Sequence, residues 1–131
     1  MEPHDLERKY QPYLKRVGGL RLLPAAHAVD LLEDAKAVAV RLRGVEAFRL
    51  FDDGGVQPSM EFSNVSFGTI DPGGEFHAEL RPRTPWNTDP HLVSHTQELI
   101  REGAANGFEW YEVSLEDPSS ERLLFFEEGT E

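Results

Sequence analysis

The stretch over residues 108–128 constrains the fold most, because it holds two runs of strand-forming residues separated by a turn. It reads FEWYEVSLEDPSSERLLFFEE, and the Asp-Pro-Ser-Ser sequence at 117–120 is typical of a tight connection. Aromatic and β-branched residues favour extended backbone. We therefore predict an antiparallel hairpin at the centre of a sheet, with strands over 108–115 and 121–127.

Alternation along the first run indicates which side of that strand meets the core. Successive side chains of a strand point to opposite faces, so residues two apart share a face. The predicted faces are Tyr111, Val113 and Leu115 inward, and Trp110, Glu112 and Ser114 outward. The second run reads LLFF over 123–126 without a polar interruption, which is the pattern of a strand covered on both faces.

Apolar residues at helical spacing predict two longer helices. The first, over 24–40, opens with a proline in its first turn and carries an apolar stripe on one side. The second, over 89–105, opens at a Thr-Asp-Pro sequence that caps it and closes at Asn-Gly. A shorter amphipathic helix over 5–16 contains Pro12, which breaks or kinks it.

The middle of the chain predicts a second hairpin. Strands over 46–51 and 56–62 flank an Asp-Asp-Gly-Gly turn, and Asp-Gly between two such runs is a strong hairpin signal. Pro58 has no N–H to donate to a ladder, so the second strand should lie at an edge or carry a bulge. One further strand is expected over 75–80.

Together these elements predict a single α+β domain over residues 1–131. Its sheet is expected to be mainly antiparallel, with about five strands and with two to three helices packed on one side. The sequence has no cysteine, which excludes disulfides and thiolate chemistry. It has no long apolar run, and its charged N-terminal segment lacks the apolar centre of a secretory signal, so we expect a cytoplasmic protein.

The negative charge is unevenly placed, which fits either a docking face for a basic partner or solubility alone. The net charge is −11: residues 1–50 hold nine Lys/Arg against seven Asp/Glu, whereas residues 51–131 hold four against seventeen. Such a chain repels nucleic acid and anionic membranes and attracts basic proteins. The carboxylates near the predicted hairpin form the predicted docking face: Glu109, Glu112, Glu116, Asp117 and Glu121. Since this face should be exposed, lysine at both Glu112 and Glu116 should clearly weaken binding of a cationic partner and leave the thermal midpoint almost unchanged.

Trp86 is a candidate apolar anchor for the same partner. It ends a stiff, proline-rich loop, RPRTPW over 81–86, where an aromatic side chain loses little entropy on docking. The other reading of this residue is that it folds back to cover the core. The sequence leaves the two open.

Motifs for catalysis are few. There is no phosphate-binding glycine loop and no Gly-x-Ser-x-Gly elbow. His91 and His95 lie one helical turn apart above Glu98 and Glu102, so a metal-binding or metal-dependent enzyme domain is one alternative. Two imidazoles do not complete a site, and we expect no bound metal or other cofactor. A self-associating structural or regulatory module is the second alternative.

Two short segments, GVEAFRL over 44–50 and GGVQPSME over 54–61, are similar to small bacterial proteins. Some of these proteins resemble the immunity partners of secreted toxins. The resemblance implies a small acidic α+β protein that blocks a cognate toxin by binding, and it brings no site residues with it. The leading functional hypothesis is therefore a non-enzymatic, immunity- or antitoxin-like inhibitor of a basic toxin such as a nuclease.

Overall fold

The computed structural model describes residues 1–65, 68–70, 76–78 and 90–126. Within them the helices are α1 Pro3–Tyr10, α2 Ala25–Ala35 and α3 Pro90–Ala105, with a 3₁₀ turn over Gln11–Tyr13. The strands are β1 Lys15–Val17, β2 Leu20–Pro24, β3 Arg41–Leu50, β4 Val56–Val65, β5 Gly68–Ile70, β6 Phe76–Ala78, β7 Trp110–Asp117 and β8 Arg122–Leu123. None of the described helices is long and apolar enough to cross a membrane.

Strand β7 is the centre of the main sheet, as the sequence predicts. The strand order is β1-β2-β7-β3-β4, every neighbouring pair is antiparallel, and β8 pairs with the end of β7. All three α-helices contribute buried side chains to one core with the sheet, among them Leu6, Leu31 and Ile100. The expected α+β class, with an antiparallel sheet and helices packed against it, is confirmed.

The predicted faces of β7 are also confirmed. Tyr111, Val113 and Leu115 are buried in the core, whereas their neighbours in between keep partial exposure, apart from Glu116 near the strand end. The Tyr111 hydroxyl donates a hydrogen bond of 3.1 Å to the carbonyl oxygen of Ile100, which ties the centre of the sheet to α3. Burial raises the pKa of Tyr111 to about 12, so this hydroxyl stays protonated.

The hairpin after β7 is much shorter than predicted. Strand β8 has two residues, which pair antiparallel with Glu116 and Asp117, so the predicted hairpin exists. The strand expected over 121–127 is confirmed only at 122–123, and the other described residues of that range are not strand. Glu121 and Phe125 bracket it with φ values of 55° and 68°, a left-handed backbone that cannot continue a strand. The start of β7 on the same edge is instead taken by β2, which the sequence did not predict.

Helix α2 ends five residues earlier than the predicted boundary at 40. The N–H groups of residues 36, 37 and 38 bond to carbonyls three residues back, which tightens and closes the helix. The chain then becomes extended, and β3 begins at Arg41 instead of 46. Both Val38 and Val40 are still buried, so the apolar stripe continues into a connection and a strand. The helix predicted over 5–16 breaks near Pro12, as expected: α1 ends at Tyr10 and a 3₁₀ turn holds Pro12. The end predicted at 16 is wrong, because residues 15–17 form β1.

The β3–β4 hairpin and α3 follow their predictions. The Phe51 N–H donates to the Gly55 carbonyl at 2.9 Å, and Gly54 has a φ of 89° that favours glycine. Strand β4 lies at the edge of the sheet, which is where Pro58 is tolerated. Helix α3 matches the predicted 89–105. Part of the expected strand over 75–80 is β6, which pairs with β5 in a separate two-stranded sheet.

Charged groups from the N-terminal segment hold the chain after β7 in place. Arg122 makes two hydrogen bonds to the Glu7 carboxylate, of 2.9 and 2.6 Å, and the Phe125 N–H donates to the same carboxylate at 2.7 Å. Arg16 and Arg21 donate to backbone carbonyls of residues 125 and 124. This N-terminal clasp explains why so short a strand as β8 keeps a defined position.

Candidate partner-binding groove

The outward side of the sheet centre gathers carboxylates from two neighbouring strands. The register of β3 against β7 places Glu46 directly opposite Glu112, and Gly44 opposite Ser114. Like charges in directly opposite positions destabilise a sheet unless other groups compensate them. The surroundings of each carboxylate therefore decide what this surface can do.

Glu112 is compensated inside the protein. Its carboxylate accepts the backbone N–H of Arg21 at 2.9 Å and lies 3.5 Å from the Arg21 Nε. The two side chains are only 12% and 14% exposed. This carboxylate therefore joins β2 to β7 and is poorly placed to meet a partner.

Glu116 is also used internally, and a bulge makes this possible. The β3 ladder shifts register between Leu42 and Gly44, which leaves Arg43 as the extra residue. Bulges re-aim a side chain, and here Arg43 forms an ion pair with Glu116. The Glu116 side chain is 8% exposed and that of Arg43 is 33% exposed. The arginine side chain is thus partly exposed while the carboxylate is covered.

A groove of about 300 Å³ opens on this side of the sheet, beside the Arg43–Glu116 pair. Its lining residues are Arg43, Gly44, Glu46, Ser114, Glu116, Glu121 and Leu123. Glu46 and Glu121 are exposed, and no hydrogen bond or ion pair joins either side chain to another described residue. The groove therefore has two solvated carboxylates beside a fixed, internally neutral ion pair.

Only part of the predicted docking face comes together. Glu116 and Glu121 line the groove, and Glu112 lies beside it. Glu109 is exposed but precedes β7 by one residue, so it stands about 23 Å along the strand from Glu116 at 3.3 Å per residue. The carboxylate of Asp117 accepts the N–H and the hydroxyl of the residue two positions later and so stabilises its own turn. Trp86 lies outside the described residues.

Sequence reasoning missed three groups that define this surface: Glu46, Arg21 and Arg43. Each lies in a different strand from the carboxylate it faces, and none is near that carboxylate in the sequence. Alternation along residues 46–51 does not mark Glu46 as outward, because it puts Glu46 on the same face as Phe48, which is apolar and buried. That Glu46 lies next to Glu112 can be seen only once β3 is paired with β7.

His91 and His95 are exposed on α3, as are Glu98 and Glu102. Across the described part of the chain, no three His, Asp or Glu side chains are arranged to hold a metal ion. The structure thus offers no observation that favours the metal-enzyme alternative.

Comparison with known proteins finds no matching family model, curated protein or solved structure.

Proposed function

We propose that the protein is a non-enzymatic inhibitor that binds a basic protein partner through the groove between Glu46 and Glu121. Within the class suggested by its sequence, the partner would be a basic toxin such as a nuclease. The observation that supports this proposal is the pair of exposed carboxylates that no described residue engages, at a groove whose other charges are already neutralised.

The contact would work through charge and shape together. A lysine or arginine of the partner enters the groove and pairs with one rim carboxylate or both, and an arginine fork can bind a carboxylate bidentately. Arg43 is held by Glu116, so it does not need to reorganise when the partner arrives. The excess of acidic residues after position 50 adds long-range attraction, which speeds association and weakens with salt.

A matched pair of charge variants tests the groove. Glu46→Lys with Glu121→Lys reverses the two rim charges, and Glu98→Lys with Glu102→Lys makes the same change on an exposed flank of α3. Each double variant raises the net charge from −11 to −7, since each substitution adds two charges. Basic proteins captured from cells at low salt are compared for wild type and both variants, and the association rate of each captured protein is then measured against salt concentration.

We expect the groove variant to lose the specific partner and to slow its association at least tenfold, while the α3 variant keeps both within about threefold. Equal losses from the two variants would show that only net charge matters. Unchanged capture by the groove variant would refute the proposal.

A further inference from the structure

A second polar cavity lies on the helical side of the molecule, between the N-terminal segment and α2. It has a volume of about 380 Å³ and lies on the opposite side of the sheet from the groove described above. Its lining residues are Lys9, Tyr10, Tyr13, His27, Asp30, Glu33 and Asp34. This composition combines an aromatic wall with an excess of carboxylates.

The aromatic wall is a stacked pair. The rings of Tyr13 and His27 are nearly parallel, 13° apart, with their centroids separated by 3.8 Å. Tyr13 is nevertheless 47% exposed. Within the described chain, no hydrogen bond engages the Tyr13 hydroxyl or the His27 ring nitrogens. The pair therefore presents polar ring atoms together with an aromatic surface.

The carboxylates of the cavity differ in how fully they are used. Asp34 accepts hydrogen bonds from Lys9 at 2.7 Å and from the Tyr10 hydroxyl at 2.6 Å, and so joins α1 to α2. Glu33 accepts from Lys36 and Gln97, both at 3.1 Å. Asp30 is exposed, and of the three carboxylates it alone has no hydrogen bond or ion pair to another described residue.

We infer that this cavity is a binding site for a guanidinium group. Lys9 and Lys36 offset two of the three carboxylates of the cavity. Asp30 therefore leaves it with a net negative charge, which attracts a cation and repels an anion. A guanidinium is planar, so it stacks against aromatic rings, and its fork of N–H groups matches a carboxylate such as Asp30. An ammonium group has neither property and is more strongly hydrated. The guanidinium can belong to a free small molecule or to an arginine side chain of a protein.

The inference can be tested by NMR titration of the whole protein. Aromatic and backbone resonances are followed while methylguanidinium is added, and methylammonium serves as the matched probe. L-Arginine and a capped Gly-Arg-Gly peptide are added in separate arms, because tighter binding of one identifies a free amino acid or a protein side chain as the source.

We expect saturable shifts at Tyr13 and His27 with methylguanidinium, and at least fivefold weaker binding of methylammonium. Asp30→Asn should weaken binding about tenfold, because it removes the charged acceptor of the fork. Tyr13→Leu should weaken it a few fold. Asp52→Asn, an exposed acidic residue in the β3–β4 turn, should leave it unchanged.

Three outcomes would overturn the inference. They are non-saturable shifts, equal binding of the two cations, and equal effects of the Asp30 and Asp52 substitutions. Asp30 has no described partner and is exposed, so its variant keeps the fold, which the same spectra verify. Because the Glu46 and Glu121 variants do not alter this cavity, its failure is separate from failure of the proposed function.

Discussion

The Arg43–Glu116 ion pair should show an asymmetric response when either partner is removed. Arg43→Met leaves the Glu116 carboxylate, which is 8% exposed, without its ion-pair partner. Breaking a fully buried pair costs about 3–5 kcal/mol, and the partial exposure of Arg43 places this variant near the lower limit, about 3 kcal/mol. Glu116→Gln instead leaves Arg43, whose side chain is 33% exposed and can be partly hydrated, so we expect about 1.5 kcal/mol.

Urea unfolding followed by circular dichroism measures the loss of unfolding free energy in each variant, and thermal unfolding measures the shift of the midpoint. The entropy of unfolding is about 0.28 kcal/mol/K for 131 residues, so the Arg43→Met variant should lose about 11 °C in its thermal midpoint and the Glu116→Gln variant about 5 °C. The double variant should lose less than the sum of the two single variants, because each removes the same contact. Glu121→Gln is the control and should stay within about 0.5 kcal/mol of wild type.

A larger loss for Glu116→Gln than for Arg43→Met would refute this reasoning, as would additive effects in the double variant. The same burial reverses the sequence-based expectation for lysine at Glu112 and Glu116. Both carboxylates contact arginines inside the fold, so that double substitution should lower the thermal midpoint strongly. Weakened partner binding by such a variant would therefore report unfolding as well as lost contacts.

Two further predictions concern stability. Gly103→Ala should destabilise by about 2 kcal/mol in urea unfolding, because a Cβ there would overlap the Tyr111 hydroxyl and lie 3.0 Å from the Phe62 Cβ. This cost exceeds the gain of about 1 kcal/mol in helix propensity, and adding Tyr111→Phe should recover part of it; a stabilised Gly103→Ala variant would contradict the steric argument. Burial acts to raise the pKa of Glu7, but hydrogen bonds from Arg122 and the backbone outweigh it and hold the pKa below its usual 4.5. The stabilisation from Glu7 is therefore complete above about pH 4.5 and is lost as the pH falls through the lowered value, so Glu7→Gln should flatten the decline in stability below about pH 4.5. An unchanged pH slope in that variant would show that Glu7 does not couple to folding.

The fold class was predictable because it depends on periodic patterns. The alternation of Tyr111, Val113 and Leu115 fixes one face of the central strand, and the Asp-Gly turn fixes the β3–β4 hairpin. Both signals are local in sequence. The apolar stripe from 24 to 40 predicts the end of the helix wrongly, because valines are buried equally well in a strand, in a connection or in a helix.

The candidate site was less predictable, because its charges are settled by contacts between distant segments. From the sequence, Glu112 and Glu116 are predicted to form an exposed acidic face. In the structure they pair with Arg21 and Arg43. The bulge that brings Arg43 to Glu116 has no marker in the sequence. Conversely, only the register of β3 against β7 shows that Glu46 lies opposite Glu112.

The central position of β7 also has a consequence for how the chain folds. Strands β2 and β3 both precede it by many residues, yet each pairs with it, for example Leu23 with Tyr111 and Val45 with Val113. Contacts of such long sequence separation raise the contact order and slow folding. During synthesis, β2 and β3 leave the ribosome with the edges that β7 will cover still unpaired. Until Asp117 emerges, β2 and β3 lack the strand with which they pair, and unpaired strand edges of this kind favour association with other chains.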